Sequence, residues 1–274
     1  MNSLQIKNIH KRPIGVFDSG IGGLTVARAL FELLPNEDII YLGDSARLPY
    51  GTKSKETVIL YSIECLKFLL AKKVKMVVVA CNTASSVAVP FLQKITKVPV
   101  IGVLIPGSEA AAKATKNNKI GVIGTRGTIN SGSYGKRIHK INRNIKVYSE
   151  ACSLFVQLAE DGWTENKIAE LTAKEYLSGL RKKGIDTMIL GCTHYPILKK
   201  TIAKVLGNKI KLIDSGAETA KEVKFILSER NLLNTKNKKG DHKFFVTDFP
   251  NNFHQIAERF LGKKIKNVRL AKLH

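Results

Sequence analysis

Short apolar runs, each ending in a polar or glycine-bearing turn and followed by a helical pattern, recur along this chain. Residues 13–17 read as a buried strand that enters the turn Asp18-Ser19-Gly20-Ile21-Gly22-Gly23, then the helical spacing of residues 24–34, closed by Pro35. Residues 38–42 lead into Gly43-Asp44-Ser45, a loop carrying Leu48-Pro49-Tyr50-Gly51, and a helix over 54–71. The run 74–80 gives way to Cys81-Asn82-Thr83 and a helix, and 98–104 precedes the turn Pro106-Gly107-Ser108 and an alanine- and lysine-rich helix. Strands at 119–124, 145–149, 187–190 and 211–213 continue the series, with helices at 154–160, 164–183 and after Gly216. Strands alternating with helices in this way specify an α/β fold with parallel or mostly parallel sheets covered by helices on both faces. Residues 233–243 read as a polar connector, 244–247 as a strand, 252–261 as an amphipathic helix, and the last few residues as frayed.

A chain of 274 residues has room for one large or two medium domains. Its longest apolar stretches, such as 76–81, are far short of the ~20 residues of a membrane span. The first twelve residues carry Lys7, Lys11 and Arg12 without the apolar core of a secretory signal, so a cytoplasmic protein is expected. The four cysteines, at 65, 81, 152 and 192, show no C-x-x-C spacing and are expected as free thiols. Lysine and arginine outnumber the acidic residues 45 to 22, a formal charge of +23. The excess is spread along the chain, with denser patches at Lys236–Lys239, near Lys243, and at Lys263–Lys272. Such a surface attracts nucleic acid without supplying readout, and it also draws in a small dicarboxylate.

Two of the apolar runs end alike: Met76-Val-Val-Val-Ala-Cys81-Asn-Thr83 and Met188-Ile-Leu-Gly-Cys192-Thr-His194. Strand ends face the functional crevice of a parallel sheet. If a helix begins just after each cysteine, its free N–H groups and dipole would lower the thiol pKa from about 8.5 toward neutrality. Two acid/base groups flanking a carbon can take a proton from one face and return it to the other. Cys65, inside a helix, and Cys152 read instead as small buried packing residues. His194 can activate Cys192, ligate a metal or be structural; with no second ligand pair of suitable spacing, the metal reading is weak. A Cys192–His194 hydrolase remains open, and it would leave Cys81 without a role. The turn from Asp18 to Gly23 matches neither dinucleotide- nor nucleotide-phosphate-binding spacing, and its N–H groups suit a small carboxylate.

Taken together, FDSGIGG (17–23), LPYG (48–51), ACNTAS (80–85) and GCTHYP (191–196) resemble the cofactor-independent glutamate racemases of the aspartate/glutamate racemase family, in order and over residues 13 to about 261. The resemblance implies two similar α/β domains, pseudo-twofold related, with the site in the cleft between them. The first would comprise 12–105 with 216–274 and the second 106–215, after an extension at 1–11. It implies Cys81 and Cys192 as the two proton-transfer residues, assisted by Asp18 and His194 respectively. Glu160 falls where the family has a further carboxylate, although Ser153 and Gln157 stand where prolines are common. The implied substrate contacts are Asp18, Ser19, Tyr50, Gly51, Asn82, Thr83, Thr193 and His194. No cofactor or metal, a homodimer, and D-glutamate supply for peptidoglycan are also implied. Action on aspartate, or a nucleic-acid-associated role alongside catalysis, is the competing expectation.

Overall fold

The computed structural model describes residues 9–235, 237–249, 253–265 and 267–273. The expectations for residues 1–8, Lys236, 252 and Lys266 therefore lie outside the described residues. Among the described residues ten strands form two sheets in which every pairing is parallel. β1 (Ile14–Asp18), β2 (Ile39–Gly43), β3 (Met76–Val79), β4 (Val100–Gly102), β9 (His242–Val246) and β10 (Val268–Leu270) make the larger sheet, in the order β10-β9-β2-β1-β3-β4. β5 (Lys119–Gly124), β6 (Lys146–Ala151), β7 (Thr187–Gly191) and β8 (Lys211–Asp214) make the smaller, in the order β6-β5-β7-β8.

Twelve α-helices connect and cover these strands among the described residues: α1 (Leu24–Leu33), α2 (Lys55–Ala71), α3 (Asn82–Val87), α4 (Val89–Ile95), α5 (Leu104–Ala114), α6 (Arg126–Asn130), α7 (Ser133–Ile141), α8 (Leu154–Asp161), α9 (Lys167–Lys182), α10 (Lys199–Leu206), α11 (Ser215–Glu229) and α12 (Phe253–Leu261). Side-chain oxygens set several starts: Ser54 accepts from Thr57 N–H before α2, and Asn166 from Ala169 N–H before α9. The central strands are buried on both faces. Ile14, Val16, Met76 and Val78 enter one core while Phe17, Val77 and Val79 enter another, the two-residue alternation of a pleated strand. The first core also receives Ile123, Met188 and Leu190 of the smaller sheet, so one apolar mass joins both sheets. The opposite face of the smaller sheet packs Ile120, Val122 and Ile189 against Ala111, Tyr134 and Ile138.

Three expectations change. The helix after Cys81 is two helices, parting at Ala88: Pro90, in the first turn of the second, has no N–H to give the Ser86 carbonyl, which accepts from Ser133 Oγ instead. Instead of a turn at Pro106, α5 starts at Leu104 and takes the proline in its first turn, where the missing N–H costs nothing. Residues 268–271 are ordered rather than frayed: Val268–Leu270 pairs with Phe244–Val246 as an edge strand, and Ala271 is buried.

Candidate active site

The residues singled out by sequence converge at the C-terminal ends of strands from both sheets. Asp18 ends β1, Cys81 follows β3, and Cys192 follows β7. Cys81 and Cys192 line one cavity of about 40 Å³, with Ser19, Tyr50 and Gly51 on its wall. Asn82, Thr83, Thr193 and His194 complete the predicted set that reaches it. Asp18 and Glu160 stand behind this lining, the first beside Ser19 in sequence and the second against His194. The cavity's volume is small beside the several hundred Å³ of an ordinary ligand pocket. An amino-acid ligand enters only if the walls part.

The cysteines have different surroundings. Cys81 caps α3: its Sγ accepts Ala84 N–H at 3.5 Å and donates to Ser19 Oγ at 3.5 Å. The expected fall in its pKa does not occur. Burial and the neighbouring Asp18 charge push the thiol up to about 12, outweighing the contribution of a six-residue helix. No α-helix begins directly after Cys192; a 3-10 turn, Tyr195–Leu198, intervenes before α10. What Cys192 has is His194, whose Nδ1 lies 3.7 Å from its sulfur.

His194 is held at both ring nitrogens, with Nε2 at 2.9 Å from Glu160 Oε1. Burial pulls its pKa down, but the hydrogen bonds to Cys192 and Glu160 more than offset this and take it up to about 10. Its ring makes a T-shaped contact with that of Phe260, 5.1 Å between centroids, while Arg259 donates to the Glu160 carbonyl at 2.5 Å. Helix α12 thus packs on the histidine through Phe260 and holds the backbone of Glu160 through Arg259.

Asp18 is fully buried. Its Oδ1 accepts Gly20 N–H at 3.1 Å, and Oδ2 has no hydrogen-bond partner among the described residues. Burial raises its pKa, opposed by His194 and by backbone N–H groups of the same turn. Part of the expected anion cradle is therefore directed at Asp18 itself. The glycines serve close approach: a Cβ on Gly22 would fall 2.4 Å from Thr193 Oγ1 and 2.5 Å from the His194 ring. Across the same seam, Thr25 Oγ1 donates to the Thr193 carbonyl at 2.9 Å.

On the other side, Thr83 Oγ1 lies 2.9 Å from that of Thr125 and 3.2 Å from that of Thr128, linking α3 to the end of β5. Tyr134 donates to Asn82 Oδ1 at 2.6 Å and fixes that side chain. Sequence reading missed Thr125, Val156 and Pro49 on the lining and Tyr134, Arg259 and Phe260 behind it. Thr125 follows β5 as Cys81 follows β3, so strand-end position was the available signal. Cys65 and Cys152 are buried and do not line the cavity, in keeping with packing roles.

The sequence signature of the Asp/Glu/Hydantoin racemase family matches residues 14–223. A glutamate racemase of Geobacter metallireducens is 51% identical over 257 residues, covering 94% of this chain and 95% of the relative. One from Neisseria meningitidis serogroup A is 48% identical over 264 residues, covering 96% and 97%. Among solved structures, glutamate racemase from Francisella tularensis in complex with D-glutamate superposes with a TM-score of 0.90 at 46% identity, covering 96% of this chain and 98% of that one. A signature spanning most of the chain, on a two-sheet fold shared with such structures, means that this chain belongs to the Asp/Glu/Hydantoin racemase family.

Proposed function

We propose that the chain is a glutamate racemase that interconverts L- and D-glutamate by proton transfer between two cysteines, without a cofactor. One observation carries the mechanism: Cys81 and Cys192, contributed by different sheets, line a single small cavity. The relatives named glutamate racemase and the D-glutamate complex of the Francisella structure support the choice of substrate.

In this reading one cysteine begins each turnover as thiolate and the other as thiol. Cys81, pushed up to about 12, begins as the thiol when L-glutamate is bound. His194, raised to about 10, is protonated at neutral pH and is a fitting partner for a Cys192 thiolate. The Cys192 sulfur takes the α-proton as the C–H bond breaks, and the electron pair is held as an enediolate on the substrate carboxylate. The Cys81 S–H then delivers its proton to the opposite face of the same carbon. Reversal starts from the other protonation state, with Asp18 assisting removal of the Cys81 proton. Ser19, Asn82, Thr83 and Thr193 supply hydroxyl and amide groups for the carboxylates and ammonium, and a dry cavity makes those dipoles count against the developing charge.

Division into units 12–105 with 216–274 and 106–215, homodimer assembly, and supply of D-glutamate to peptidoglycan belong to the same proposal. Deuterium entering the α position of both glutamate enantiomers in heavy water, coupled to inversion, is the expected result. Inversion without solvent exchange, or no exchange with either enantiomer, would overturn it.

A further inference from the structure

Two larger cavities flank the one that holds both cysteines, and both share walls with it. The first, about 430 Å³, includes Gly51 and Thr83 of the central lining together with Lys53, Lys55 and Arg126. The second, about 650 Å³, includes Pro49, Thr125 and Val156 of the central lining and again Arg126. No aspartate or glutamate lines either cavity. Arg126 is exposed, and among the described residues none of Arg126, Lys53 and Lys55 forms an ion pair.

Gly51 lines all three cavities. The 3-10 turn Tyr50–Thr52 packs on the start of α6, where a Cβ on Gly51 would meet Thr125 Cβ at 2.8 Å and one on Gly127 would meet the Gly51 carbonyl oxygen at 2.9 Å. Arg126 sits between Thr125 and Gly127, on the outer lip of that seam. A pocket of about 40 Å³ must widen to admit an amino acid, and this seam adjoins two cavities of about 430 and 650 Å³.

We propose that Arg126, helped by Lys53 and Lys55, forms a capture site that holds a dicarboxylate at the seam before it opens. The proposal rests on the racemase reading for the identity of its ligand, net charge −1 at neutral pH. An uncompensated guanidinium at the mouth raises the local concentration of such an anion, and the gain is screened when the Debye length falls below the distance between them. Capture followed by opening makes the association rate constant proportional to occupancy of this outer site.

The test uses full-length protein carrying Cys81→Ser and Cys192→Ser, so that binding is read without turnover. Exchange broadening of carbon-13-labelled glutamate resonances gives the association rate constant at low and high ionic strength. Adding Arg126→Glu is expected to slow association on the order of five-fold at low salt and much less at ~0.5 M salt, the size expected of reversing one nearby charge in water. Lys182→Glu, at the end of α9 away from these cavities, makes the same net change and is expected to leave the rate within two-fold. An unaltered rate in the Arg126→Glu protein, an equal slowing by Lys182→Glu, a loss that salt does not diminish, or no broadening by the unsubstituted-Arg126 protein would each overturn the capture site. Deuterium exchange by the wild-type chain is scored separately, so failure of the racemase reading is distinguishable from failure of this one.

Discussion

Nε2 of His194 lies 2.9 Å from Oε1 of Glu160, and the same imidazole turns Nδ1 toward Cys192 Sγ at 3.7 Å. The carboxylate therefore fixes both the orientation and the protonation of the ring beside the sulfur. Replacing Glu160 with Gln removes the negative charge while keeping the size. The His194 pKa, up to about 10 in the intact protein, should fall, and racemisation should drop by about one to two orders of magnitude, part of a general acid–base contribution of 10²–10⁴. NMR titration of the ring in Glu160→Gln, beside its kinetics, checks both halves; an unchanged titration with full activity would count against the relay.

The same histidine makes stability depend on pH in one direction. Its folded pKa lies above the ordinary value of 6.5, so folding favours the protonated form. The resulting stabilisation is complete below about pH 6.5, declines as pH rises, and is lost once pH passes the folded value near 10. Urea denaturation of wild type and His194→Asn should show a difference with a component that shrinks across that window. A difference that grows with pH would contradict the sign.

Cys81 and Asp18 offer a test in which reactivity and activity move oppositely. Burial and the Asp18 charge hold the thiol up at about 12. Asp18→Asn removes the charge and leaves the burial, so the Cys81 thiol should titrate lower and react faster with a small alkylating reagent. Racemisation should nevertheless fall, since the assisting carboxylate is gone. Cys81→Ser and Cys192→Ser should each lose racemisation on the order of 10⁴-fold, the upper range for an acid–base group, while retaining one-sided exchange or elimination on a suitable analogue. Full racemase activity in either serine variant would defeat the two-cysteine mechanism.

Much of this arrangement was legible because strand, turn and functional residue coincide in the parallel α/β repeat. Met76–Val79 and Thr187–Gly191 are apolar enough to declare themselves as buried strands, so Cys81 and Cys192 were located by what precedes them. Thr125 occupies the equivalent place after β5, yet a threonine before Arg126-Gly127 carries no chemical oddity beyond that position, and its proximity to Thr83 is what makes it part of the site. The edge strand Val268–Leu270 escaped because it is three residues long, lies among lysines and leaves Leu270 67% exposed; pairing with β9, not local preference, makes it a strand. The protonation of Cys81 was misjudged for a related reason. A helix start is visible in sequence, whereas the depth of burial that opposes it is a property of the assembled sheets.

Tyr134 ties the second sheet's cover to the first sheet's site, donating to Asn82 Oδ1 at 2.6 Å with Ser215 Oγ 3.1 Å away. Tyr134→Phe preserves the ring in its apolar surroundings and leaves the buried Asn82 carbonyl short of a donor. The expected loss is about 1–3 kcal/mol, the cost of an unsatisfied buried polar group. Because Asn82 also lines the cavity, KM should rise with that loss. A stability change without a kinetic one would show that Asn82 keeps its place without Tyr134.

Gly51 closes the seam over the cavity, and the space for a side chain there is absent: a Cβ would stand 2.8 Å from Thr125 Cβ and 2.9 Å from its Oγ1. Backbone cannot yield cheaply at that point, because the Gly51 carbonyl already abuts Gly127 and the Thr125 hydroxyl lies 2.9 Å from that of Thr83. Gly51→Ala should therefore hold the Tyr50–Thr52 turn away from α6, costing about 1–3 kcal/mol in overpacking if the fold stays closed. It should cost little stability if the seam simply stays ajar. The second outcome predicts a specific kinetic pattern: water reaches the cysteines, alkylation of Cys81 and Cys192 accelerates, and kcat falls because the enediolate loses its dry surroundings. Pairing Gly51→Ala with Thr125→Ser, which removes the methyl group from the partner, should restore part of the loss if the contact is the cause. Alkylation rates and kcat unchanged in the single variant would place the route of admission elsewhere on the cavity wall.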